Sequence, residues 1–118
     1  MPDDVRAALD ERRDLIEARA QALAESAVRH RAPWVLRIGE PPLDGTERAR
    51  WVRQLAVVAA YRDRYGVTSQ DPLGPEAETL AQRRDAERAA AALRGARAIA
   101  DTNTPRGMSP LSAGRKIG

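Results

Sequence analysis

The segment from Arg48 to Gly66 constrains the fold more than any other part of the sequence. Its large apolar residues recur at steps of four, three, three and four, and they are Trp51, Leu55, Val58, Tyr61 and Tyr65. This spacing places all of them on one face of an α-helix. The segment therefore predicts a helix whose packed face supplies the largest side chains of the core.

Smaller apolar residues widen that face until the middle of the segment is apolar almost all round: Val52, Ala56 and Ala59. A helix of this kind is normally buried between other helices. Asp44 and Glu47 have the spacing of a reciprocal N-terminal cap, and Gly66 stands where a left-handed residue ends a helix. We therefore predict a core helix over residues 45–65.

Residues 3–31 also have the pattern of a long helix, with Pro33 just beyond its end. Its apolar stripe includes Leu9, Ile16 and Leu23, which we assign to the core, and Arg12 and Arg13 interrupt it. At about 1.5 Å per residue the helix would be roughly 40 Å long. A helix of this length is predicted to pair along its length with another.

The remaining segments are shorter or poorer in large side chains. Residues 34–38 match one or two helical turns containing Trp34, and the strand alternative lacks a partner strand. A further helix is predicted from Pro75 to Arg94, or on to residue 101, with an apolar face made mostly of alanine. Residues 102–118 have no periodicity and read as a disordered basic tail. The predicted fold is all-α: a small elongated bundle of three main helices and a short one, forming one domain over residues 1–101.

Composition narrows the class of protein further. The chain has 118 residues, a net charge of +3 and no cysteine, which rules out disulfides and thiolate metal sites. No apolar run is long enough for a membrane span, and the N-terminal region carries Asp3 and Asp4 where a signal sequence would be basic. We expect a cytoplasmic protein without membrane insertion. Its 20 basic and 17 acidic residues are interleaved as solvated helix faces, although a basic balance can also favour nucleic acid.

The sequence contains no recognisable catalytic or metal-binding motif. A single histidine, His30, cannot form a multi-histidine metal site, and there is no phosphate-binding loop with its lysine. No serine lies in a nucleophile elbow. Tyr61 and Tyr65 are spaced as a packed stripe with no activating neighbour in the sequence. We expect no catalytic, cofactor or metal site and no small-molecule substrate.

Several segments, in this order, resemble a known family. They are LIEARAQAL, APWVLRIGEPP, ERARWVRQLAVVAAYRDRYGV, DPLGPE and AQRRDAERAAAAL. Together they cover about Val5 to Leu93 and resemble the region beyond the helicase part of actinobacterial conjugative relaxase-helicases of the MobF (TrwC/TraA-like) type. Such enzymes nick DNA with N-terminal tyrosines beside a histidine-bound metal and unwind it with a P-loop helicase. None of those motifs occurs here, so the resemblance implies a non-catalytic C-terminal module that acts in plasmid transfer.

Two functions follow as expectations. The first is protein docking, to the relaxase-helicase, to the transfer machinery or to a second copy of the chain. The alternative is a DNA-binding accessory module that uses arginine-bearing helices and the basic tail. The candidate interaction residues for either function are Trp34, Arg37, Arg106, Arg115 and Lys116.

Overall fold

The computed structural model describes residues 3–102, and the side chains of residues 5–102. Four helices follow one another: α1 (Asp3–Arg29), α2 (Pro33–Leu36), α3 (Gly45–Tyr65) and α4 (Leu80–Thr102). Within the described range no residue lies in a strand, so the predicted all-α fold is confirmed. The molecule is elongated, measuring 65 × 33 × 26 Å along its principal axes. The predicted basic tail, with Arg106, Arg115 and Lys116, lies outside the described residues.

Helix α3 is the central element, with the bounds that its end signals predict. The Asp44 side chain accepts a hydrogen bond of 2.9 Å from the Glu47 backbone N–H at the first turn. At the other end Gly66 adopts a left-handed conformation, with φ of 62°, and its N–H donates to the Arg62 carbonyl. Both ends thus satisfy backbone groups that a helix leaves unpaired.

The cap at Asp44 leads to a stability prediction. Asp44→Ala removes the acceptor for the Glu47 N–H, and we expect the free energy of unfolding to fall by about 1 kcal/mol. Thr46→Ala, two residues further along and exposed, is the control and should change stability by less than half of that. Urea unfolding followed by circular dichroism measures both. Equal losses in the two variants would show that the Asp44 bond contributes nothing specific.

Helix α4 runs antiparallel to α3. Residues near its start contact the end of α3, through hydrogen bonds from Gln82 to Tyr61 and from Tyr65 to Asp85. Gly95, towards its other end, lies against Gln54 near the beginning of α3. The face of α4 turned to the core consists largely of alanine, including Ala89, Ala92, Ala96 and Ala100. The alanine-rich face that the sequence predicts for this helix is therefore used inside the molecule.

The start of α4 differs from the sequence prediction, and its end lies within one residue of the longer predicted alternative. The helix begins at Leu80 and not at Pro75, because Thr79 caps it: the Thr79 hydroxyl accepts from the Gln82 N–H at 3.0 Å. It also continues past Gly95 to Thr102. A Cβ at position 95 would lie 3.3 Å from the Gln54 side chain, so glycine allows the two helices to approach there.

Only part of α1 belongs to the core. Ala24 is fully buried, and Ala20, Leu23 and Ala27 pack against the core cluster. Residues 5–19 are exposed throughout. The assignment of Leu9 and Ile16 to the core is therefore wrong, because the part of α1 that carries them extends along a face that no other described helix covers. The expected pairing of α1 along its whole length is wrong for the same reason.

Candidate docking surface

The exposed half of α1 presents three large aliphatic side chains on one face. Val5, Leu9 and Ile16 are 46%, 50% and 57% exposed, and we call them the α1 stripe. They lie on the same helix face as Leu23 and Ala27, which pack on the core in the second half of α1. The stripe thus continues the buried face of α1 into solvent.

An open groove of about 620 Å³ adjoins the stripe. Ile16 and Ala20 of α1 line it together with residues of α3 and α4, including Ala56, Val57, Ala60, Tyr61, Tyr65 and Asp85. We call this space the α1–α3 groove. Most of its lining surface is apolar, and the charged residues Glu17, Arg53, Arg64 and Arg88 also line it. The stripe and the groove together form one apolar surface.

The rings of the two tyrosines line the groove, and their hydroxyls form hydrogen bonds with residues of α4. Their ring centroids are 4.9 Å apart, so they pack against each other as the sequence spacing predicts. Tyr65 donates a hydrogen bond of 2.6 Å to Asp85, and Tyr61 accepts one of 3.1 Å from Gln82. Their polar partners thus lie on α4.

The Tyr65 hydroxyl is held in its protonated form. Its hydrogen bond to Asp85 raises the pKa above the ordinary value of 10.0, and desolvation adds to the effect. A nucleophilic tyrosine needs the opposite shift or an adjacent base that removes its proton during reaction. Asp85 also forms ion pairs with Arg64 and Arg88, at 3.9 and 3.4 Å. The Tyr65–Asp85 bond thus joins the end of α3 to the start of α4.

The raised pKa of Tyr65 predicts how stability changes at alkaline pH. Because the folded-state pKa lies above the unfolded value of about 10, this bond stabilises the fold fully below pH 10. That contribution is lost as the pH rises through the folded-state pKa. Asp85→Asn should therefore lower the pKa of Tyr65 towards its ordinary value and weaken the alkaline loss. Absorbance titration of the tyrosines measures the pKa of Tyr65, and the Tyr65→Phe variant identifies its signal. An unchanged titration in Asp85→Asn would contradict the claim that Asp85 raises this pKa.

Trp34 is buried in the core, whereas a docking residue must be exposed. Its side chain is only 8% exposed, and the guanidinium of Arg62 lies 5.0 Å from the ring centroid. The geometry is that of a cation–π contact. The expectation that Trp34 offers an interaction surface is therefore not supported. Arg37 is exposed and donates to Gln70 at 3.4 Å, so it remains available at the surface.

Arg62 also fixes the loop between α3 and α4. Its guanidinium donates to the backbone carbonyls of Ser69, Asp71 and Pro72 at 2.9, 2.8 and 3.1 Å. Partial burial lowers the pKa of Arg62 from its ordinary value. Leu73, in the same loop, packs against the core. One side chain thus covers Trp34 and holds the loop.

The charges of the described part of the chain balance. Three of the 20 basic residues are Arg106, Arg115 and Lys116, so residues 3–102 contain 17 basic and 17 acidic side chains. The excess of positive charge belongs entirely to residues 103–118. Within residues 3–102 no cluster of three metal-ligating side chains occurs, and none of the helices there is long and apolar enough to cross a bilayer.

Comparison of the chain with protein-family models, with curated protein sequences and with solved structures found no match. The resemblance to MobF-type relaxase-helicases therefore stays a prediction. The case for function rests on the stripe and the groove. Arg12 and Arg13 interrupt the apolar pattern of α1 within its exposed half.

Proposed function

We propose that this chain is a non-catalytic helical module that acts by protein docking through the α1 stripe and the α1–α3 groove. The observation that carries the proposal is the exposure of Val5, Leu9 and Ile16 on one helix face beside an apolar groove. Contiguous apolar patches of this kind mark protein interaction sites. An amphipathic helix face beside a groove is also a common mode of helix recognition.

The resemblance to conjugative relaxase-helicases supplies the expected setting. In that setting the module belongs to a cytoplasmic relaxase-helicase and assists plasmid DNA transfer without nicking or unwinding DNA itself. The raised pKa of Tyr65 supports a non-catalytic role, since it disfavours a free phenolate at neutral pH. The partner is then the relaxase-helicase, the transfer machinery or another copy of the module.

Charge balance favours docking over the alternative of DNA binding. Equal numbers of acidic and basic residues in the folded part leave residues 103–118 as the basis of any electrostatic attraction to phosphate. If DNA binding were the main function, the affinity would fall steeply with salt, in proportion to the number of phosphates contacted. Docking through aliphatic side chains should depend little on salt. Binding measured at low and high salt therefore separates the two.

The test uses a relaxase-helicase that carries this module. The double variant Leu9→Ser, Ile16→Ser removes two aliphatic side chains from the stripe. Full burial of each such side chain in an interface contributes about 1.5–3 kcal/mol to the free energy of binding. Plasmid transfer should fall at least about tenfold, while nicking and unwinding rates stay unchanged.

Leu15→Ser is the matched control for this test. Leu15 is a similarly exposed aliphatic residue of α1 that lies about 100° away from Ile16 around the helix. It should leave transfer unchanged. Loss of unwinding in the double variant would place the region in the motor and contradict the proposal, as would equal transfer in all three proteins.

A further inference from the structure

We infer that the α1–α3 groove binds a helix of a different protein, one that carries an acidic residue on each side of a pair of apolar residues. The inference rests on the proposed docking function and names the chemistry of the partner. It is carried by the part of α3 that stays exposed in the groove and by the arginines on either side of that part.

The central helix α3 is not covered on every side. Helices α1 and α4 both pack against it, and residues of all three helices line the groove. Within the groove Val57 of α3 is 37% exposed and Ala60 is partly buried. A helix that is apolar almost all round is normally buried between other helices. The groove is therefore the place where a further helix would complete the packing of α3.

An arginine lies at each end of this exposed part. Arg53, Val57, Ala60 and Arg64 follow one another at steps of four, three and four, so they form one line along the helix. All four residues line the groove, and we call them the α3 line. Its two arginines are 11 residues apart, which is about 16 Å along the axis. A helix laid along the α3 line therefore meets a cation, two apolar residues and a second cation.

The α3 and α4 sides of the groove carry an excess of positive charge. Arg53 is exposed and forms no ion pair or hydrogen bond with another described residue. Arg64 and Arg88 share the carboxylate of Asp85, and both arginine side chains are mostly exposed. These two helices thus bring three arginines and one carboxylate to the groove. Complementary charges fix the register of a partner and exclude partners of like charge, so the groove selects an acidic helix.

Glu17 determines which edge of the partner helix faces α1. It lines the groove from the α1 side, where a carboxylate of the partner would meet a like charge. The acidic edge of the partner therefore faces α3 and α4. An uncharged or basic edge faces α1.

This chain has no segment with the pattern that the α3 line requires. A matching helix has acidic residues 11 positions apart, with apolar residues four and seven positions after the first. Three pairs in the sequence have the acidic spacing: Asp3 with Asp14, Asp14 with Glu25, and Glu76 with Glu87. Each pair has a polar residue at one of the two intermediate positions, namely Asp10, Gln21 and Arg83. Residues 103–118 contain no acidic residue. The partner helix therefore belongs to a different protein.

Calorimetric titration of the full chain with a designed helical peptide tests the inference. The peptide has two glutamates 11 residues apart, leucines four and seven residues after the first glutamate, and alanine and glutamine elsewhere. It should bind the parent chain, and Arg53→Glu should raise the Kd at least about tenfold, because a like charge then faces one glutamate. Arg48→Glu is the matched control: Arg48 is also an exposed arginine of α3 but does not line the groove. It should bind the peptide like the parent.

Two further peptides test the pairing itself, with lysine in place of either the first or the second glutamate. One of them, and not the other, should recover binding to Arg53→Glu, and its identity gives the direction of the partner helix. Recovered binding also shows that the variant is folded.

A parent chain that does not bind the acidic peptide overturns the inference. Equal weakening by Arg53→Glu and Arg48→Glu does so too, as does failure of both lysine peptides to recover binding. The transfer experiment with Leu9→Ser and Ile16→Ser decides separately whether docking itself stands. Loss of transfer in those variants, without peptide binding by the parent, would refute the acidic helix and retain the docking function.

Discussion

Replacing Trp51 by alanine is expected to lower the free energy of unfolding by about 3–5 kcal/mol. The side chain is fully buried on the core face of α3, together with Leu55 and Val58. The α4 part of the same core cluster consists largely of alanine, whose short side chains cannot fill the space that an indole leaves. Because the core is thin, we expect the variant to be largely unfolded at 25 °C, as circular dichroism and thermal melting will show.

Trp51→Phe separates the volume of this side chain from its polar atom. The indole Nε1 is buried and has no hydrogen-bond acceptor among the described residues. Phenylalanine keeps most of the apolar ring and removes the unpaired donor, whose burial itself costs about 1–3 kcal/mol. We therefore expect Trp51→Phe to lose less than half as much stability as Trp51→Ala. A Trp51→Ala variant that melts like the parent would contradict the position of Trp51 in the core.

The second large effect is expected at Arg62, where alanine should cost about 2–3 kcal/mol. The substitution removes three hydrogen bonds to backbone carbonyls of the α3–α4 loop and uncovers one face of Trp34. A hydrogen bond from a charged group contributes up to about 1.5–3 kcal/mol to stability. The total loss is smaller than three such bonds, because water can hydrogen-bond to the exposed carbonyls in the variant. For a domain of this size the melting temperature should fall by roughly 10 °C or more.

Arg64→Ala is the matched control for Arg62→Ala. Arg64 lies two residues away on α3, but its side chain is mostly exposed and reaches Asp85 only at 3.9 Å. An exposed ion pair of this kind contributes between zero and about 1 kcal/mol. Thermal melting of both variants gives the comparison. If Arg64→Ala lost as much stability as Arg62→Ala, the loop contacts of Arg62 would not be the cause.

The ends of α3 could be predicted from sequence because each depends on neighbouring residues alone. Asp44 and Gly66 satisfy the terminal backbone groups of the helix they bound, so no knowledge of distant contacts is needed. The start of α4 was harder to predict because two residues carry the signal for a helix start. Pro75 is favoured in a first turn, but Thr79 supplies the hydroxyl that accepts from the helix and lies at its actual start.

The candidate surface could be predicted only in part, for a different physical reason. Periodicity identifies residues that share a helix face, such as Leu9, Ile16 and Leu23, but it does not show how far a neighbouring helix extends. Here the packing against α3 reaches Leu23 and leaves Leu9 and Ile16 exposed. Trp34 was misassigned because its cover, Arg62, is distant in sequence. A local sequence pattern cannot predict burial that depends on contacts between residues distant in sequence.

Amide hydrogen exchange along α1 tests the central claim most directly. It is measured on the diluted chain, on the concentrated chain, and after addition of the remaining part of a relaxase-helicase. The docking account predicts fast exchange for residues 5–19 at dilution, and slower exchange there on concentration or on addition of the larger protein. Residues 51–58 of α3 should be protected throughout, since they are buried or partly buried apart from Arg53 and Val57. Exchange of residues 5–19 that is equally fast in all three samples would contradict a docking function for this face.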